Sequence, residues 1–171
     1  MSEKKEHYFI IYLQSLVEKD DRGALASLRR GLGQKPGSTP EMYRYIVPLL
    51  PKEPYRSQEE AFYLIAALFA SHPKSTNKGN LGNHLAVART EGNEQALERR
   101  FTALLSAHPD DLPDYLRQTI SLLKSKEVPV NWSELLYNLQ SWSHPEYGDR
   151  VRKNWATAFW GYRQTSANED E

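Results

Sequence analysis

The chain has no cysteine. That absence removes disulfide bonds, thiolate nucleophiles, iron–sulfur clusters and Cys-ligated zinc, and it fits a reducing cytosol. Long apolar runs are missing as well. The longest, AFYLIAALFA from Ala61 to Ala70, has ten residues, where a membrane-spanning helix needs about 20. The amino terminus, MSEKKEHYF, lacks the basic segment, apolar stretch and cleavage site of a secretion signal. We expect a cytoplasmic protein with no membrane partner. An excess of one charge is also absent, because 22 basic residues face 22 acidic ones. The balance hides an asymmetry. Glu169, Asp170 and Glu171 fall in a stretch, TSANEDE, that reads as a disordered acidic tail over 165–171. Without those three, 22 basic residues face 19 acidic ones, and what remains is mildly cationic.

Catalytic signatures are missing too: there is no His-Glu-x-x-His, Gly-x-Ser-x-Gly or Gly-x-x-x-x-Gly-Lys. KGNLGN, at 78–83, could offer backbone N–H groups to a phosphate. It is too short for a nucleotide loop and reads better as a tight turn into a helix. The five histidines do not cluster with carboxylates at metal-ligand spacing. Three of them precede proline at helix ends, where a cation would complement the helix dipole. The acidic pairs Asp110–Asp111 and Glu59–Glu60 suit helix N-termini. We expect no catalytic residues, no metal and no cofactor, and not an enzyme.

What is present is helical periodicity, with no segment of alternating strand pattern. The pattern predicts helices over His7–Lys19, from Asp20 or Asp21 to Gly31 or Gly33, from Pro40 with Thr39 as cap, and from a Ser57–Glu60 capping box to the His72-Pro73 stop. A short helix opens at Leu81. Others follow at Glu94–Ala107, Leu112–Lys124, Trp132–Trp142 behind an Asn131/Glu134 cap, and Asp149–Tyr162 with Asp149 as cap. The expected fold is all-α, two small helical bundles packed as N- and C-terminal lobes over 1–91 and 92–164. His-Pro recurs at 72, 108 and 144, a spacing near that of tetratricopeptide repeats, but the flanking residues do not repeat.

The remaining signal is where the cations point. At about 100° per residue, Arg30 points away from the stripe of Leu25, Leu28 and Leu32, and Arg29 flanks it beside Arg22. Arg99 points away from Leu97, Phe101, Leu104 and Leu105, and Arg100 flanks them. Arg117, Ser121 and Lys124 line the outer face of the next helix. In the last helix Val151, Trp155, Phe159 and Tyr162 form the inner stripe, and Trp160 falls outward above Lys153. Each outward set alone fits a solvated helix face. Together they suggest a surface that touches phosphate, or, as the alternative, a helical protein–protein adaptor resembling tetratricopeptide arrays, with no nucleic-acid contact.

Several stretches carry a resemblance: DRGALASLRRGLG, AFYLIAALFASHP, the NLG opening the helix at 81, and ERRFTALLSAHPDDLPDYLRQTISLLKSKEVPVNWSELLYNLQSW. In order and spacing they resemble the small-subunit (CasB) family of the type I-E CRISPR Cascade complex over nearly the whole chain. Members often have serine ahead of Leu-Gly, where this chain has Asn80; both cap helices. The resemblance implies a two-lobed helical subunit without nuclease activity, placed head-to-tail beside a second copy. Its implied partners are the backbone and large Cascade subunits, the crRNA and the target DNA, and its implied task is to help hold an R-loop that includes the displaced strand. On matching stretches the nucleic-acid candidates are Arg29, Arg30, Arg99, Arg100 and Arg117. Lys124, Lys126, Arg150, Arg152 and Lys153 follow from helix geometry alone, and Arg22 and Trp160 are candidates for partner contact.

Overall fold

The longest apolar run becomes the axis of the fold. A computed structural model describes residues 5–168, with side chains as far as 161. The Tyr162 side chain and the acidic residues Glu169, Asp170 and Glu171 therefore lie outside the described part. The described residues form nine α-helices: α1 (Tyr8–Glu18), α2 (Arg22–Arg29), α3 (Tyr43–Ile46), α4 (Arg56–Ser71), α5 (Leu81–Val87), α6 (Glu94–Leu105), α7 (Leu112–Ser125), α8 (Trp132–Ser141) and α9 (Pro145–Asn168). Short 3₁₀ turns at Pro40–Met42 and Val47–Leu49 flank α3. Among these residues there is no strand; Ser75 and Val130 form one isolated parallel bridge. The fold is all-α. No helix among them is long and apolar enough to cross a membrane.

In α4 every residue from Ala61 to Ala70 except Leu64 is buried, so the helix has no solvent face over that span, as an all-round apolar sequence requires. It packs against α2, α3, α7 and α8. Its start differs from the capping-box expectation. Tyr55 is the N-cap residue and Ser57 lies inside the helix without a capping bond, while Glu60 pairs with Arg56 at 2.9 Å, one turn away. The carboxylate that could have closed the box is held by a cation instead.

The two halves of the chain meet along α5 and α9. Gly82 in α5 lies so close to α9 that a Cβ there would collide with the carbonyl of Trp155. Buried polar groups fix the approach. Trp155 Nε1 donates to Asn138 Oδ1 at 2.8 Å, and Asn138 Nδ2 donates to Glu134 Oε1 at 3.2 Å. The N–H of Asn131 donates to His84 Nε2 at 3.0 Å. Arg89, just beyond α5, donates to the Phe159 carbonyl at 3.1 Å and lies over its ring. The hydrophobic core is one cluster that runs through both halves.

The His-Pro pairs act differently from the cationic helix ends expected of them. His144 is followed by Pro145 as the first residue of α9, and its Nδ1 accepts from the N–H groups of Glu146 and Tyr147, both at 3.2 Å. His108 Nδ1 accepts from Asp110 N in the same way. The His144 imidazole thus caps the start of α9, whereas His108 bonds within the turn ahead of α7, whose N-cap residue is Asp111. His72 does end α4, and its Nε2 bonds the Val128 carbonyl at 2.7 Å. Because α9 begins at Pro145, Asp149 sits inside it and pairs with Lys153 rather than capping. Thr39 precedes Pro40 at the first 3₁₀ turn without a side-chain capping bond, whereas the caps expected at α2, α5 and α8 are present. Asn80 and Asn83 form a reciprocal capping box at α5, and the Asn131 side chain accepts from Glu134 N at α8. Gly79, at φ 77°, makes the turn before α5.

Two predictions follow from the α5–α9 contact. Alanine in place of glycine inside an exposed helix stabilises by about 1 kcal/mol. Gly82→Ala instead lowers unfolding free energy by about 2 kcal/mol or more, because the methyl group forces the two backbones apart; urea denaturation reads the sign. Burial also pushes the His84 pKa down to about 4. An unfolded histidine titrates near 6.5, so the unfolded chain binds a proton that the fold refuses. The stability contributed by neutral His84 is complete above about pH 6.5 and is lost as pH falls to about 4, a loss of about 3 kcal/mol. Urea titrations at several pH values, with His84→Gln as comparison, check that the variant loses most of this slope.

Candidate nucleic-acid interface

α7 buries Leu112, Leu116, Ile120 and Leu123, which leaves Arg117, Ser121 and Lys124 in a row on its outer side, at spacings of four and three. α6 buries Leu97, Phe101 and Leu104, and Arg100 projects from its flank. The two helices pack side by side. Their outer edges, with Leu32 beyond α2 and Ser71 at the end of α4, enclose a groove of about 730 Å³ lined by Arg100, Arg117 and Lys124. The sequence separates these three cations by up to 24 positions; packing puts them on one surface.

The far wall of the groove comes from the N-terminal half. Gly33 has φ 75°, and a Cβ there would stand 3.2 Å from Arg117 Nη1, so the turn after α2 passes directly beneath the guanidinium. Arg117 Nη2 is 3.6 Å from Asp114 Oδ1, and both side chains are about half exposed or more. Such a surface pair holds a cation weakly, at roughly 0–1 kcal/mol. Among the described residues no ion pair involves Arg99, Arg100, Lys124 or Lys126. The groove therefore carries positive charge that the described fold leaves largely uncompensated.

The other candidates do not line it. Arg29 Nη1 donates to the Ala70 carbonyl at 3.3 Å and helps close the end of α4 beside Ser71. Arg30 turns towards Glu41 at 3.9 Å, and Arg22 pairs with Asp20 at 3.3 Å. Lys126 is the exposed C-cap residue of α7. On α9, Arg150 is 3.5 Å from Glu146 and Lys153 is 3.0 Å from Asp149, both one helical turn away. Arg152 is structural: its Nη2 donates to the Trp142 carbonyl at 3.1 Å and its guanidinium lies 4.3 Å from the centre of the Trp142 ring.

Trp160 departs from the outward position expected of it. It is half buried, 5.2 Å from the Phe101 ring and 5.1 Å from Phe159. It lines a shallow cleft with Arg99, Glu98 and Thr102. α9 packs on α5 with one face and meets α6 with the next, so two adjacent residues, Phe159 and Trp160, both find partners. Sequence reasoning passed over Gln118 and Tyr115, which stand beside the cations on α7. Nothing local marks them, since an exposed glutamine and a half-buried tyrosine are common on any helix.

The family model for CRISPR-associated protein Cse2 matches residues 24–160. The chain belongs to the Cse2 family. It is 33% identical over 165 residues to the CRISPR-associated protein Cse2 of Thermus thermophilus, covering 95% of this chain and 92% of that protein. The crystal structure of CasB from Thermus thermophilus superposes with a TM-score of 0.78 at 32% identity, over 90% of this chain and 96% of that one. A chain of a CRISPR RNA-guided surveillance complex superposes with a TM-score of 0.77 at 26% identity, over 96% and 100%. The Cse2 match includes α6, α7 and the Gly33 turn, so all the walls of the groove lie within the matched span.

The placement of the cations separates stability from surface charge in this Cse2 family member. Arg152→Ala loses a bonded carbonyl and a ring contact and lowers stability by about 1–2 kcal/mol. Arg100→Ala, with no hydrogen-bond or ion-pair partner among the described residues, stays within about 0.5 kcal/mol of the parent. Urea denaturation of the two variants checks the difference.

Proposed function

We propose that this chain is the non-catalytic small subunit of a crRNA-guided type I-E Cascade complex, and that the α6–α7 groove holds a nucleic-acid backbone there. The observation that carries the reading is the groove itself: Arg100, Arg117 and Lys124 share one surface, and only Arg117 has a carboxylate beside it among the described residues. Contacts of this kind position a strand without reading its sequence. In a guided complex that division is sufficient, because base pairing supplies the specificity and protein contacts tip a nearly balanced R-loop exchange. The occupants in this reading are the crRNA and target DNA, including the displaced strand. Family membership, and the likeness to a chain of an RNA-guided surveillance complex, support the setting.

The same reading places the other Cascade subunits, and a second copy arranged head-to-tail, against the remaining surface of lobes 1–91 and 92–164. Tyr8, Ile11 and Val47 are each about half exposed, and the Tyr8 hydroxyl donates to the Leu49 carbonyl at 2.7 Å, joining α1 to the Val47–Leu49 turn. An apolar face of that kind suits a protein neighbour. It does not require the adaptor alternative, because it lies on α1 and the turn after α3 rather than on the α6–α7 walls of the cationic groove.

Charge reversal tests the groove. The Arg100→Glu/Arg117→Glu variant binds a single-stranded oligonucleotide more weakly, and the slope of log affinity against log salt shrinks by about 1.4 for two lost phosphate contacts. Fluorescence anisotropy across a monovalent salt series measures both. Unchanged affinity and slope remove the groove from the nucleic-acid path and favour the adaptor.

A further inference from the structure

A second, smaller cavity opens beside the groove. It lies between α6 and α7, has a volume of about 210 Å³, and is walled mainly by apolar groups, with Leu97 and Phe101 on one side and Tyr115 on the other. Arg100, Gln118 and Leu122 line both this cavity and the groove, and Arg99 stands on its remaining lip. The cavity is thus a side chamber of the cationic surface.

Its size restricts what can enter. A dry apolar cavity of about 150 Å³ holds one benzene ring, and drug-sized ligands occupy about 300 Å³ or more. This one holds a single flat ring system. Its mouth also carries chemistry that a plain apolar hole lacks. Gln118 is exposed, and its carboxamide, which offers both donors and an acceptor, has no hydrogen-bond partner among the described residues. The guanidinium groups of Arg99 and Arg100 flank the same opening, and neither has an ion-pair partner among those residues. A flat ring with polar edges, joined to an anion held just outside, is the chemistry of one nucleotide.

We propose that this cavity receives an unpaired base of a single strand whose phosphates lie along the groove. The inference rests on the groove being a backbone track. It adds selectivity to that track: a cationic groove alone attracts any polyphosphate chain, whereas the chamber rewards a strand with a base free to leave its stack. A duplex gives up a base only at the cost of unpairing it.

The test compares strands of equal length and charge: homothymidine DNA, homouridine RNA, and an abasic strand that keeps the phosphates without the bases. The full chain binds a base-bearing strand about tenfold more tightly than the abasic one, the contribution of one buried base. DNA and RNA arms are read separately, and the larger gap identifies the strand. Ala103→Leu, which fills the cavity from its wall, lowers binding of the base-bearing strand to the abasic level. Gln118→Ala, at an exposed position where folding is not at stake, narrows the gap. Equal affinity of the unmodified chain for base-bearing and abasic strands, or an undiminished gap in both variants, overturns the chamber and leaves the groove standing. Absence of salt-dependent binding to every strand overturns both.

Discussion

The basic groove depends on a backbone contact some distance from it, the approach of α5 to α9 at Gly82. Only a residue without a Cβ lets the two helices come so close. Once they do, α9 lies where Trp155 can reach Asn138 of α8, and Phe159 and Trp160 can reach Phe101 of α6. That seats α6, and with it the flank from which Arg100 projects. The same contact buries His84 against the segment leading into α8, where its unprotonated nitrogen takes the Asn131 N–H. A small number of hydrogen bonds, Trp155 to Asn138 and Asn131 to His84 among them, thus fix a packing that apolar surface alone would leave less sharply defined.

The remaining wall is set by the end of α2. Helix α2 packs on α4, Arg29 ties itself to the Ala70 carbonyl, and the chain turns at Gly33 beneath Arg117. The groove is therefore a joint product of the N-terminal and C-terminal halves, with Leu32 and Ser71 from one and Arg100, Arg117 and Lys124 from the other. Charges gathered in this way repel one another in the empty protein. A polyanion in the groove would relieve that repulsion, as the proposed function requires.

The helices were legible in the sequence because their apolar periodicity is strong and local. α1 and α2 have their expected spans to within a few residues, and Asn80 and Asn131 cap as their positions suggest. The misreadings have a common source in competition for a polar group. Glu60 was free to close a capping box in sequence, but Arg56 lies one turn away and holds it. At α9 the His-Pro pair suggests a stop after α8, whereas Pro145 starts the next helix with His144 as its cap. Histidine lies outside the usual capping set of Ser, Thr, Asp and Asn. For the surface, helical angles showed which cations point outward. Which of them share a groove depends on crossings between helices distant in sequence, and no local pattern encodes these. Trp160 shows the same limit, since a single inner stripe describes a helix with one neighbour, and α9 has more.

The α6–α7 groove stands or falls as a nucleic-acid track on which of its residues touch the strand. Photo-crosslinking of the assembled complex on its nucleic acid, followed by mass spectrometry of the attached peptides, tests it most directly. With nucleic acid in the groove, the crosslinked peptides of this chain come from α6 and α7, around Arg100, Gln118 and Lys124. Crosslinks confined to α9 around Arg150 and Lys153, with none from α6 or α7, would contradict it.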